Sequence, residues 1–160
     1  MIILIMGVAG AGKTTVGRAL ADQMHWGFAD ADDYHSPANV AKMHAGIALT
    51  DEDRAPWLQA LRRAIQSWLT AGENVVLACS ALKASYRDIL VVGPDVKLVY
   101  LQISRELAAA RMATRQGHYM NPSLLRSQFE TLEEPREALA IDASQPTQHI
   151  VADIRRSFAI

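Results

Sequence analysis

Short aliphatic runs alternate along the chain with longer stretches in which apolar residues return every third or fourth position. The runs at 2–6, 27–30, 74–79, 97–102 and, more weakly, 138–142 predict strands. They are apolar on both faces, the pattern of strands buried inside a parallel sheet. Helical periodicity predicts helices over 12–24, 37–44, 56–71, 83–91, 104–116, 122–133 and 146–157. In the longest of these, Trp57, Leu58, Leu61, Ile65, Trp68 and Leu69 fall on one buried stripe. Pro122 and Pro146 sit where a first helical turn tolerates proline. Strand–helix alternation of this kind predicts right-handed crossovers and an α/β domain with its sheet covered on both faces.

Composition narrows the picture. A chain of 160 residues with no repeat or long linker predicts one domain spanning 1–160. With 50% hydrophobic and 21% charged residues, it is too apolar for disorder. The balance of 16 basic against 17 acidic side chains lacks the basic stripe that nucleic-acid binding demands. A single cysteine, Cys79, precludes an internal disulfide framework and suits a reducing compartment. The apolar runs are too short to cross a bilayer, and "MIILIM" has neither a basic leader nor a cleavage site. A cytoplasmic protein without a membrane partner is the expectation.

The sharpest chemical signal is "MGVAGAGKTT", in which Gly7, Gly12, Lys13 and Thr14 make the phosphate-loop pattern between a strand and a helix. Glycines let the backbone from Gly7 through Ala9, Gly10, Ala11 and Gly12 wrap until successive N–H groups point at phosphate oxygens. Lys13 then reaches the β and γ phosphates, Thr14 ligates Mg²⁺, and Thr15 touches the α phosphate. A nucleoside triphosphate is the implied ligand. The Asn-Lys-x-Asp motif of regulatory GTPases is missing, and the third and fourth strands end in "ACS" and "YLQ" without a metal-directed acid. The nearest acids are Asp30 and Asp32 at the end of the second strand, the sheet edge where ligands bind.

Phosphoryl transfer to a hydroxyl needs a base, cations around the transferring group and exclusion of water. Asp32 is the expected base, with Asp30 supporting the metal through water and Asp33 a solvated neighbour. His35 is either a ligand for a substrate hydroxyl or a hydrogen-bonding anchor. Arg54 follows a cluster of acids, where Thr50 and Asp53 resemble a capping box. It reads equally as a surface ion pair or as a guanidinium fork for an acidic substrate. Ser80, Lys83 and Arg87 follow the third strand at the same sheet edge, with Lys83 and Arg87 on one helix face. Arg111 and Arg115 share a predicted helix face before a glycine-containing turn, as a lid over the phosphates would. Cys79 reads as a buried small side chain.

These segments together resemble the P-loop gluconate kinases, relatives of shikimate kinase and the nucleoside monophosphate kinases. The likeness runs through "GVAGAGKTT", "DADDYHSPANVAKM", "GIALTDEDRAPWL", "CSALKASYRDIL" and "GHYMNPSLLRSQFETLEEP". It implies transfer of the ATP γ-phosphoryl to the 6-hydroxyl of D-gluconate with Mg²⁺. It also implies a three-layer α/β/α fold with five parallel strands in the order 2-3-1-4-5, a lid at about 111–122, and often a homodimer. By resemblance, Asp32 holds the acceptor hydroxyl, Arg54 grips the substrate acid, and Lys83 and Arg87 line the substrate side. Arg111 stacks on adenine opposite Pro146, and Arg115 approaches the phosphates. His118, Gln128 and Glu130 belong to the lid and its following helix. Ala31 stands where the family usually has glycine, so a positive φ there would strain the turn. Tyr119 stands where phenylalanine commonly follows the histidine. A related kinase for another small acid such as shikimate is the alternative, and a nucleotide-binding protein without turnover is a third class.

Overall fold

The computed structural model describes residues 1–115 and 122–160. Five strands, β1 (Ile2–Met6), β2 (Gly27–Asp30), β3 (Val75–Ala78), β4 (Val96–Gln102) and β5 (Leu139–Asp142), pair in parallel in the order β2-β3-β1-β4-β5. Register is set by pairs such as Leu4 with Leu77 and Leu98. The helices are α1 (Lys13–Met24), α2 (Pro37–His44), α3 (Asp51–Thr70), α4 (Ala84–Leu90), α5 (Arg105–Thr114), α6 (Pro122–Thr131) and α7 (Thr147–Phe158). A 3-10 turn, Ala31–Tyr34, follows β2.

Because successive strand residues point to opposite faces, β1 feeds two cores. Ile2, Leu4 and Met6 pack with Trp57, Leu58, Leu61 and Ile65 of α3 and with Tyr86 and Leu90 of α4. Ile3 and Ile5 pack with Val16 and Leu20 of α1 and with Ile150, Val151 and Ile154 of α7. These are the two outer layers of the expected α/β/α arrangement. Central β1 is fully buried, which is why it reads as an unbroken apolar run. Among the described residues, no helix is long and apolar enough to cross a membrane.

Two boundaries differ from the sequence expectation in ways that matter for the site. The long helix begins at Asp51, not at Pro56. Thr50 and Asp53 form a reciprocal capping box, so Pro56 lies inside the helix. The extra turn carries Asp53 and Arg54 into position beside α2. At the other boundary, α5 ends at Thr114, and Arg115 has extended backbone (φ −85°, ψ 115°). Arg111 and Arg115 therefore do not share a helix face.

Candidate active site

The loop between β1 and α1 is shaped by backbone that only glycine adopts freely. At Gly10, φ is +82° and an added Cβ would lie 2.9 Å from the Ala108 carbonyl oxygen. Gly12, at φ +93°, is the N-cap of α1 and supplies no side-chain cap. The first amides of α1 thus keep their donors and the positive end of the helix dipole for an anion. The Lys13 ammonium donates to the Val8 carbonyl at 3.0 Å. Desolvation lowers the Lys13 pKa, opposed by the nearby Asp32, Cys79 and Asp30. The Ala9 amide behaves differently from the expectation. It donates to Gln128 Oε1 at 2.7 Å, so α6 is tied to the loop through that amide.

Asp30 ends β2 and does two jobs. Its Oδ2 accepts from Thr14 Oγ1 at 3.3 Å, and its Oδ1 accepts from the Asp32 amide at 3.0 Å. The second bond caps the 3-10 turn, which holds Asp32 in the cleft that Lys13 also lines. Asp32 is solvent-exposed where it lines the cleft. Desolvation, reinforced by Asp30, pushes its carboxyl pKa up, while Lys13 opposes the shift. Ala31, in that turn, is buried and is not among the positive-φ residues. Its carbonyl accepts from the Trp57 indole at 2.7 Å. The turn therefore does not need glycine.

These residues line a cleft of about 170 Å³. Lys13, Thr14, Asp30 and Asp32 line it together with His35, Arg54, Trp57, Arg115 and Gln128. The His35 ring stacks on Trp57, with centroids 4.3 Å apart and planes at 13°. Burial and the Arg54 charge lower the His35 pKa to about 4. Arg54 donates to the Leu49 carbonyl at 2.7 Å and to the Tyr86 hydroxyl at 3.3 Å, with the guanidinium over the Tyr86 ring.

A second cleft, about 290 Å³, also borders the loop. Thr15, Ala11, Arg111, Gln145 and Thr147 line it, while Gly10, Gly12 and Arg115 line both clefts. Arg111 bridges its two walls, donating to Gly10 O at 3.2 Å and to Ala143 O at 2.7 Å. Pro146, the N-cap of α7, lies between two lining residues of this second cleft. The two clefts meet at the phosphate loop, with Arg115 beside both.

Lys83 and Arg87 are not brought to the cleft. Lys83 pairs with Asp51 at 2.9 Å on the surface, and Asp51 also accepts from the Tyr86 hydroxyl. It braces the tyrosine that holds Arg54. Arg87 is 8% exposed and donates to the carbonyls of Ala81, Leu82 and Glu133. Ala81 is left-handed, at φ +43°, so Arg87 clamps a bent segment next to cleft residues Cys79 and Ser80. Lys83 is the N-cap of α4 with extended backbone (φ −93°, ψ 145°), so it does not share a helix face with Arg87 as the four-residue spacing predicted. His118 lies outside the described residues, and Glu130 is exposed and lines neither cleft.

Trp57, Tyr86 and Asn39 are the site residues that sequence reasoning missed. Trp57 was absorbed into the core stripe of α3. Its polar N–H, which a buried tryptophan must satisfy, was the available signal. Among the described residues, no group of three His, Cys, Asp or Glu side chains is placed to hold a metal alone. A divalent ion here would need the Thr14 hydroxyl, water held by Asp30, and phosphate oxygens, and this hard oxygen set suits Mg²⁺.

A family model for shikimate kinase matches residues 9–156. The chain is 39% identical over 156 residues to the thermoresistant gluconokinase of Escherichia coli (strain K12), covering 94% of this chain and 89% of that protein. The crystal structure of a gluconokinase from Sinorhizobium meliloti 1021 superposes with a TM-score of 0.87 at 44% identity, over 98% of this chain and 90% of that one. Shikimate kinase from Aquifex aeolicus vf5, at 16% identity and a TM-score of 0.60, shares the fold alone, over 99% of this chain and 96% of that one. Sequence and fold agree: the chain belongs to the gluconokinases, within the shikimate-kinase-like P-loop kinases.

Proposed function

We propose that this enzyme transfers the γ-phosphoryl group of ATP to the 6-hydroxyl of D-gluconate, giving 6-phosphogluconate and ADP. The observation that carries the reading is the junction of the two clefts at the phosphate loop, with Asp32, Lys13 and Arg115 around it. ATP lies with its base in the cleft of Arg111 and Pro146 and its phosphates along Gly10 to Thr15. Gluconate lies in the cleft of Asp32, His35 and Arg54, with its carboxylate on Arg54.

Asp32 orients the 6-hydroxyl and accepts its proton as the oxygen attacks the γ phosphorus. A raised proton affinity, from its desolvated surroundings, suits that task. Lys13 and Arg115 hold the charge that spreads over the transferring oxygens as the bond to ADP breaks. Bound Mg²⁺ would neutralise part of the β and γ charge, held by Thr14 and by water on Asp30. Gln128, through the Ala9 amide, keeps α6 against the loop. Lys83 and Arg87 support this machinery from outside the cleft. The reading also takes 1–160 as one cytoplasmic kinase domain, with a lid near 111–122 and a homodimeric assembly, which sedimentation checks.

The test is a coupled ADP-release assay across gluconate, shikimate, a nucleoside monophosphate and simple sugars. Gluconate should give the highest kcat/KM. Asp32→Asn should lower kcat by about 10²–10⁴-fold with ATP binding retained. Full turnover in that variant would remove Asp32 as the base, and a preference for shikimate would replace the acceptor.

A further inference from the structure

We propose that Asn39 is a positioning residue that locks His35 in its Nε2–H tautomer, so that the ring offers the acceptor cleft a hydrogen-bond donor. The proposal deepens the gluconate reading and rests on it for the identity of the oxygen that receives the bond.

Asn39 is buried, 6% exposed, on α2. Its Nδ2 donates to the Asp53 carbonyl oxygen at 2.9 Å. Turning the amide over would face its oxygen to that carbonyl, two acceptors in contact, so the orientation is set. The same Nδ2 lies 3.3 Å from His35 Nδ1. An amide nitrogen only donates, so Nδ1 must accept, and the ring proton resides on Nε2. Stacking on Trp57 fixes the ring plane. Nε2 has no partner among the described residues and is the ring edge left for the cleft that His35 lines.

The support is built backward through α3. Asp53 closes the capping box with Thr50 and is held by Lys42 at 2.9 Å, which anchors the carbonyl that orients Asn39. Charged groups that line the cleft with the ring are Lys13, Asp30, Asp32, Arg54 on α3 and Arg115, while Lys42 on α2 is committed to Asp53. Burial and Arg54 disfavour a second ring proton, in keeping with a neutral donor. A neutral N–H reads a hydroxyl without repelling the adjacent guanidinium. Arg54 then takes the carboxylate and His35 takes a polyol oxygen, so the pair discriminates a hydroxylated acid from a bare one.

Long-range proton–nitrogen spectra of the full chain labelled with ¹⁵N-histidine, with His35 assigned by its loss in His35→Gln, read the tautomer directly. A single Nε2–H form from about pH 5 to 8 is expected. In Asn39→Asp the new carboxylate accepts from Nδ1–H and raises the ring pKa. The neutral ring then shows a bare Nε2 to the substrate, and the protonated ring restores the donor. The gluconate KM of that variant, relative to the parent, should therefore climb about tenfold as pH rises through the new pKa, with the ATP KM unmoved. An Nδ1–H ring or a tautomer mixture in the parent overturns the proposal, as does a KM penalty equal at every pH. Should Asn39→Asp fail to fold, the parent spectrum alone decides. Should the parent leave gluconate untouched, the substrate reading falls while the spectrum still decides the tautomer.

Discussion

Arg87 tests the distinction between a ligand and a clamp. Its guanidinium makes three hydrogen bonds, to Ala81 O at 2.9 Å, Leu82 O at 3.0 Å and Glu133 O at 2.8 Å. In Arg87→Met the aliphatic stem is retained and these bonds are lost. Charge-assisted bonds contribute about 1.5 kcal/mol each at the low end, roughly 4–5 kcal/mol together. Relief of the desolvation that lowers the Arg87 pKa offsets part of this, on the order of 1–2 kcal/mol. The net loss is about 3 kcal/mol, which for a chain of this size lowers Tm by roughly 6–12 °C. Differential scanning fluorimetry measures the shift, and steady-state kinetics well below the lowered Tm should give a gluconate KM within about threefold of the parent. An unchanged Tm with a gluconate KM raised a hundredfold would refute the reasoning and return Arg87 to the substrate.

Three further outcomes follow from the site. The His35 pKa lies near 4 in the folded protein, below the ordinary value of 6.5, so between these pH values the unfolded chain binds the extra proton. Stability should fall as pH drops through that window, and urea titrations of His35→Gln should show a shallower loss; equal slopes would contradict the burial argument. The Cys79 thiol is pushed up to about 12 by burial, so at pH 8 the native enzyme should resist iodoacetamide while the urea-unfolded chain reacts; rapid native alkylation would contradict this. Gly10→Ala should cost at least about 1–2 kcal/mol from the left-handed backbone alone and weaken ATP binding as the loop shifts from Ala108; unchanged ATP affinity by calorimetry would show that the loop's shape is less restrictive.

The elements that could be read along the chain are those whose cause is local. β1 and β3 are unbroken buried apolar runs, and α2 has the expected bounds because Pro37 opens it one residue after its Ser36 cap. The phosphate loop is likewise local, since glycine backbone freedom and the following helix N-terminus lie within one short segment. Pro56 misplaced the start of α3 because proline is commonest in a first turn. The Thr50–Asp53 box, four residues of mutual hydrogen bonding, outweighed the one amide that Pro56 lacks.

The roles of long polar side chains were not local. Lys83, Arg87, Arg54 and Gln128 carry the same chemistry whether they meet a ligand, a carbonyl or a carboxylate. Arg87 found Glu133, 46 residues away, and Gln128 found Ala9, 119 residues away. Periodicity assigns a residue to a face, but packing α4 against α3 and α6 against the loop selects which groups that face meets. The sequence thus contained the layer order and the anion cradle, because backbone geometry and apolar burial act over a few neighbouring residues. Which cations reach the cleft, and which way His35 holds its proton, emerged only when distant segments closed around them and brought each buried donor its acceptors.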